Sequence, residues 1–141
     1  MQTLAPRAPA RTLTPHDLAH LTRLLAEEGT AHAGKEDIRR ALDESRLAPA
    51  GAVAPGLVTL DAQVFLVAGP QEQFCRITLV LPPDADPARG RVSVLSPLGS
   101  ALLGRSTGET ATWRSFGRVH AARIVAVLAP LPAKGPDEAT R

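Results

Sequence analysis

Aromatic and sulfur-bearing side chains are nearly missing from this 141-residue chain: one cysteine, one tryptophan, three phenylalanines and no tyrosine. A lone Cys75 excludes an internal disulfide and suits a reducing compartment, so a cytoplasmic location is expected. A base-stacking platform or an aromatic-lined pocket is hard to build from Phe65, Phe74, Trp113 and Phe116. No apolar run approaches the roughly 20 residues needed to span a bilayer, and Pro6 and Pro9 break up the N-terminus, which reads as no signal peptide. An excess of one charge is also lacking. Residues 1–50 hold seven basic and seven acidic side chains and residues 51–141 hold nine and seven, for a net charge of +2. That balance argues against a protein whose main work is coating phosphate backbones.

What is present is strong local punctuation. Residues 91–104, Arg-Val-Ser-Val-Leu-Ser-Pro-Leu-Gly-Ser-Ala-Leu-Leu-Gly, read as a strand running into a short helix. Val92 and Val94 alternate with Arg91 and Ser93, the period of a half-buried strand. Ser96 offers an N-cap oxygen and Pro97 fits the first helical position, where its missing N–H is no loss. Leu98, Ala101 and Leu102 share one apolar face, and Gly104 stands where a left-handed C-cap is wanted.

Residues 1–12, rich in Pro, Ala and Arg, are predicted to be disordered. Thr14, Pro15 and Asp17 then start a helix, with Leu13 and Leu18 as a hydrophobic staple and Leu18, Leu21, Leu24 and Leu25 as its apolar side. Gly29 ends it, giving about 14 residues, or about 21 Å. A second helix is predicted from about Lys35 to Arg46, with Ile38, Ala41 and Leu42 on one face. The connection between the two is short enough to make them antiparallel neighbours. Ala48 to Gly56 reads as a linker. Beyond it the period changes from 3.6 to 2: strands are predicted around Val58–Val67, around Cys75–Leu81, at Arg91–Leu95, at Thr110–Ser115 and at Val119–Leu128. Residues 130–141 read as a flexible tail. The prediction is an α+β chain, with a helical hairpin over 13–48 followed by a domain over 56–129 built from an antiparallel sheet of about five strands and one short helix.

Residues with chemistry are few. His16 and His20 stand at i, i+4 without an evident third ligand, so no metal site is expected. Cys75 alternates with core positions and reads as an inert buried thiol. Ser100 lacks the surroundings of a nucleophile and reads as a helix-surface residue, while Gly104–Gly108 lacks the ending of a phosphate loop. Acidic residues gather near the expected hairpin tip: Glu27, Glu28, Glu36 and Asp37. Glu36 and Asp37 are placed in the first turn of the second helix, where the dipole favours carboxylates; Glu27 and Glu28 end the first helix, where it disfavours them. Paired carboxylates of this kind hold a Mg²⁺ only if another molecule supplies the remaining ligands, and a solvated tip is the simpler reading. Residue chemistry alone points away from an enzyme and calls for no cofactor.

Ile77–Pro82, the Asp84-Ala85-Asp86 loop, Val92 to Gly104 and Trp113 together resemble the C-terminal FKBP-like domain shared by Gre transcript-cleavage factors and the regulator of nucleoside diphosphate kinase (Rnk) family. The short hairpin and Pro55–Leu60 look more like Rnk. The resemblance covers roughly residues 14–128, and the Ser-Pro-x-x-x-Ala-Leu-x-Gly block is its most specific part. It implies binding to bacterial RNA polymerase at the rim of the secondary channel. The docking surface would map to Ser96, Pro97, Leu98, Gly99, Ala101 and Leu102. It implies no transcript cleavage, because the arm is too short to carry acidic tip residues to the catalytic metal, and a link to control of nucleotide metabolism. Direct sequence-specific nucleic-acid binding and membrane association are not expected, and a monomer is. The alternatives are a Gre-type cleavage factor using Glu27 and Glu28, and a prolyl isomerase or chaperone-like module.

Overall fold

The computed structural model describes residues 11–27, 32–48 and 55–130. Among these residues, seven strands and three α-helices run in the order β1 (Arg11–Leu13), α1 (Pro15–Ala26), α2 (His32–Asp43), β2 (Ser45–Leu47), β3 (Gln63–Ala68), β4 (Gln73–Val80), β5 (Arg91–Ser93), α3 (Pro97–Leu102), β6 (Thr110–Ser115) and β7 (Arg118–Leu128). The five-stranded sheet has the order β5-β4-β3-β7-β6, and β1 and β2 form a separate parallel pair.

Local signals set the starts of α1 and α3. Thr14 accepts the Asp17 N–H at 3.0 Å, with Pro15 next in line. Asp17 does not complete a reciprocal capping box. Its Oδ2 instead accepts the Leu60 N–H at 3.1 Å, joining α1 to the stretch that precedes β3. The helix ends at Ala26, so α1 has 12 residues, about 18 Å.

Several boundaries differ from prediction. Arg11 and Thr12, placed in a disordered segment, belong to β1; residues 1–10 lie outside the described residues. The second helix spans His32–Asp43 rather than Lys35–Arg46, because Ser45 and Arg46 pair with Arg11 and Thr12 in β2. Pairing with a distant strand supplies hydrogen bonds that another helical turn would forgo. Of the predicted linker, Ala48 is tied down by its N–H to the Leu13 carbonyl at 2.8 Å, and residues 49–54 lie outside the described residues. The alternating stretch from Val58 becomes a strand only at Gln63. Before that, Val58 N–H is held by the Arg105 carbonyl and Asp61 takes a φ of 69°. The sheet is mixed rather than wholly antiparallel: β5 runs parallel to β4, after two 3₁₀ turns (Pro82–Asp84 and Pro87–Arg89) carry the chain back.

One core joins the layers. Leu21 and Leu24 of α1 and Ile38 of α2 pack in the same cluster as Val58, Val64, Leu79, Val94, Leu102 and Ile124. Inward positions of β3, β6 and β7 (Val64, Leu66, Ala111, Ala122 and Ile124) are buried. Between Phe65 and Leu66 the β3–β7 register shifts, a bulge that bends the long β7 strand. Cys75, expected in the core, is exposed, because β4 begins beyond the edge of the core and is buried only from Ile77 onward.

The β6–β7 turn carries strain. Phe116 is fully exposed with a φ of 54°, and Gly117 has a φ of 74°, the pair of positive angles a two-residue hairpin turn of type I′ demands. Phe116→Asn creates the preferred Asn-Gly pair and is expected to stabilise the fold by about 0.5–1 kcal/mol, read as a raised urea midpoint. An unchanged midpoint would mean that the turn is not strained.

Candidate functional site

The Ser96–Gly104 segment is positioned from both ends. Ser96 Oγ accepts the Gly99 N–H at 3.0 Å and donates to the Ser93 carbonyl at 2.7 Å, so the N-cap also locks α3 to β5. At the other end Gly104 adopts a φ of 79°, the left-handed stop read from sequence. The last carbonyls of α3 are capped by Arg11. Its guanidinium donates to the Leu103 carbonyl at 3.1 Å and to the Ser100 carbonyl at 2.5 Å, and its Nε pairs with Glu44 at 3.0 Å. Burial, and then Arg105, lower the proton affinity of Arg11, while Glu44 raises it.

This geometry divides the six residues assigned to docking. Gly99, Ala101 and Leu102 are buried within the chain and form no outer surface. Ser96 and Leu98 are half-buried and Pro97 is exposed, so the accessible part is the first turn of α3. Ser100, expected on the helix surface, is buried, with its hydroxyl donating to the Pro97 carbonyl at 3.2 Å. The reason is the sheet behind α3, which covers more of a six-residue helix than a single apolar stripe predicts.

Beside Pro97 lies a cleft of about 310 Å³ between α2, α3 and β6, lined by Arg11, Asp37, Arg40, Ser100, Trp113 and Arg114 among others. Trp113 is half-buried and its ring stacks on His120 with centroids 5.5 Å apart. Asp37 pairs with Arg40 at 3.3 Å along the wall of this cleft.

Glu36 and Asp37 do not stand in the first turn of α2 as the sequence suggests. Because α2 begins at His32, they lie in its second turn, and the N-terminal dipole does not account for them. Glu36 is exposed, and Asp37 faces the cleft beside α3. Glu27 caps α1, and its carbonyl accepts from Lys35 Nζ, a cation placed where the C-terminal dipole favours one. Glu28 lies outside the described residues. His16 and His20 meet edge to face at 4.5 Å, and among the described residues no three His, Cys, Asp or Glu side chains converge.

Asp17, read only as a helix-start residue, is 1% exposed and joins the two halves of the chain. Burial pushes its carboxyl above the usual range, and the Leu60 N–H, His16 and His20 oppose the shift. A carboxyl whose folded pKa is raised contributes most at acid pH, and that contribution is lost as pH rises from the unfolded to the folded value. Asp17→Asn keeps an acceptor for Leu60 without a buried charge. Its expected outcome is a stability at pH 7 equal to or above the parent's, with the difference shrinking as pH falls. Asp17→Ala orphans the Leu60 N–H and should cost about 1–3 kcal/mol. Urea melts at pH 4 and pH 7 check both.

Sequence reasoning missed Arg11 because its partners lie 89 and 92 residues away. Comparison with known proteins bears on the same region. Residues 53–129 match the family described as transcription elongation factor, GreA/GreB, C-terminal. The chain is similar to transcription elongation factor GreA of Geobacillus kaustophilus, with 34% identity over 73 residues, 52% of this chain and 46% of that factor, so it spans about half of this relative's length. It is also similar to the GreA of Phenylobacterium zucineum, with 28% identity over 113 residues, 73% of this chain and 72% of the relative. Among solved structures, the prokaryotic transcription elongation factor GreA/GreB from Nitrosomonas europaea superposes with a TM-score of 0.69 at 30% identity, covering 86% of this chain and 99% of that one. Matched over more than half its length, and over the whole of the sheet and α3, the chain belongs to the GreA/GreB C-terminal-domain family.

Proposed function

We propose that this protein is a non-catalytic regulator of bacterial RNA polymerase, of the Rnk type. In this reading an FKBP-like body docks at the rim of the secondary channel through Ser96, Pro97 and Leu98, and a short antiparallel helical pair stays at the entrance. The observation that carries it is the shortness and fixity of the helices. α1 and α2 have 12 residues each, about 18 Å, and Leu21, Leu24 and Ile38 are committed to the core beneath α3. An arm that reaches into a channel needs free length, and these helices spend theirs on packing. A small apolar contact at Pro97 and Leu98 with polar neighbours suits a transient partner. A link to nucleotide metabolism would then follow from which transcripts respond.

The test has two arms. The purified chain should bind core polymerase, and Pro97→Ala/Leu98→Ala should weaken that binding about tenfold or more while the chain remains folded at the assay temperature. Added to backtracked complexes, the chain should release no RNA fragments and should slow cleavage stimulated by a longer factor. Fragment release that Glu27→Ala abolishes would replace this reading with a Gre-type cleavage factor. Acceleration of proline isomerisation in a test peptide, without polymerase binding, would replace it with an isomerase.

A further inference from the structure

The five-stranded sheet has a core side and an outer side, and the outer side is chemically one-sided. Its outward register positions carry Arg76, Arg91 and Arg123, and no strand of the sheet carries an Asp or Glu. Register defines the outer face. Phe65 pairs with Arg76 and Val67 lies between Phe74 and Arg123; Phe65 and Val67 alternate with buried Val64 and Leu66, Arg76 stands beside buried Ile77, and Arg123 lies between buried Ala122 and Ile124. Phe74 is 64% exposed, and its ring lies 5.9 Å from that of Phe65 on the neighbouring strand. Two of the four aromatic rings in the chain, scattered in sequence, are thus brought together, Phe74 exposed and Phe65 half-buried, beside Arg76 and Arg123.

We propose that this outer face binds single-stranded nucleic acid without sequence preference, its bases stacking on Phe74 and Phe65 and its phosphates meeting Arg76 and Arg123. Adjacent aromatics on neighbouring strands of an open sheet are an arrangement on which bases stack, and stacking is sequence-tolerant because every base has a π-face. An acidic protein segment would also meet the arginines. The exposed ring pair favours nucleic acid, because a flat base covers it and a carboxylate does not. Glu72, in the β3–β4 turn, is the acid that lines the shallow depression beside Val67 and Arg123, and it limits the field at that end. The site is remote in sequence from the docking turn of α3 and does not depend on polymerase binding.

Fluorescence anisotropy of a labelled single-stranded RNA of mixed sequence, titrated with the full chain, tests the proposal. Binding is expected below about 100 µM protein at 50 mM salt. With two phosphates engaged it should weaken roughly sevenfold at 200 mM salt. Phe74→Ala, at an exposed position, should weaken it about fivefold or more, and Phe74→Trp should restore it. Arg76→Gln/Arg123→Gln should flatten the salt dependence, Glu72→Gln should tighten binding, and Arg39→Gln on α2 should change nothing. No binding at 50 mM salt, or equal affinity of the Phe74→Ala chain with its melting temperature intact, overturns the proposal. So does displacement of the RNA by a poly-glutamate peptide as effectively as by unlabelled RNA, which would assign the face to an acidic protein.

Discussion

Gly99→Ala is expected to destabilise the protein by about 3 kcal/mol or more, although the same exchange in an exposed helix would add about 1 kcal/mol. A Cβ at position 99 would stand 2.0 Å from the Ser93 carbonyl oxygen and 3.0 Å from Val94 Cα. Both are backbone atoms of the β5 region, fixed by pairing to β4 and by the Val94 N–H bond to the Val80 carbonyl. No side chain there can rotate away, so α3 itself must move off the sheet. Leu102, fully buried, would move with it, and the Ser96 cap to the Gly99 N–H would be broken. The expected result is a large drop in urea midpoint and, if the proposed function holds, loss of polymerase binding as a consequence of misfolding. Pro97→Ala/Leu98→Ala should lose binding with the fold intact. A Gly99→Ala chain melting within a degree or two of the parent would show that α3 does not sit as closely on β5 as described.

Arg11→Ala is expected to cost about 3 kcal/mol. Among the described residues, the guanidinium is the one side chain that donates to both the Ser100 and Leu103 carbonyls, and it is charge-paired with Glu44. Removing it leaves two acceptors buried at the dipole-negative end of α3 and an unpaired carboxylate nearby. Arg11→Lys should recover part of the loss, since one ammonium replaces a planar fork. Glu44→Ala should cost much less, about 1 kcal/mol or below, because that carboxylate is 39% exposed. Equilibrium unfolding of the four chains measures the order. Equal stability of Arg11→Ala and the parent would remove Arg11 as the tie between the helical segment and α3.

The legible parts of the fold are those written in neighbouring residues. Ser96-Pro97 and Gly104 bracket α3, Thr14-Pro15 starts α1, and the alternation in 110–115 and 119–128 marks β6 and β7. Ser45-Arg46 was read as helix because its own window has no strand signal; β1, 34 residues earlier, decides its state. Cys75 was read as buried because alternation gives the face of a residue but not how far along the strand the core extends. The docking set suffered the same way. Ser-Pro-Leu-Gly-Ser-Ala-Leu locates a helix, but only the sheet behind it separates Pro97 and Leu98 from Gly99, Ala101 and Leu102.

By itself, then, the sequence determined the three helices, the five strands of the main sheet, the starts of α1 and α3 and the α+β class, because caps, turns and hydrophobic period act through contacts a few residues apart. Tertiary structure decided the parallel entry of β5, the Arg11 and Asp17 ties, and the gathering of Phe65, Phe74, Arg76 and Arg123 on one face. Those rest on pairings between residues tens of positions apart. Their free energy depends on which surfaces meet in the compact state, and no local window of the chain carries that information.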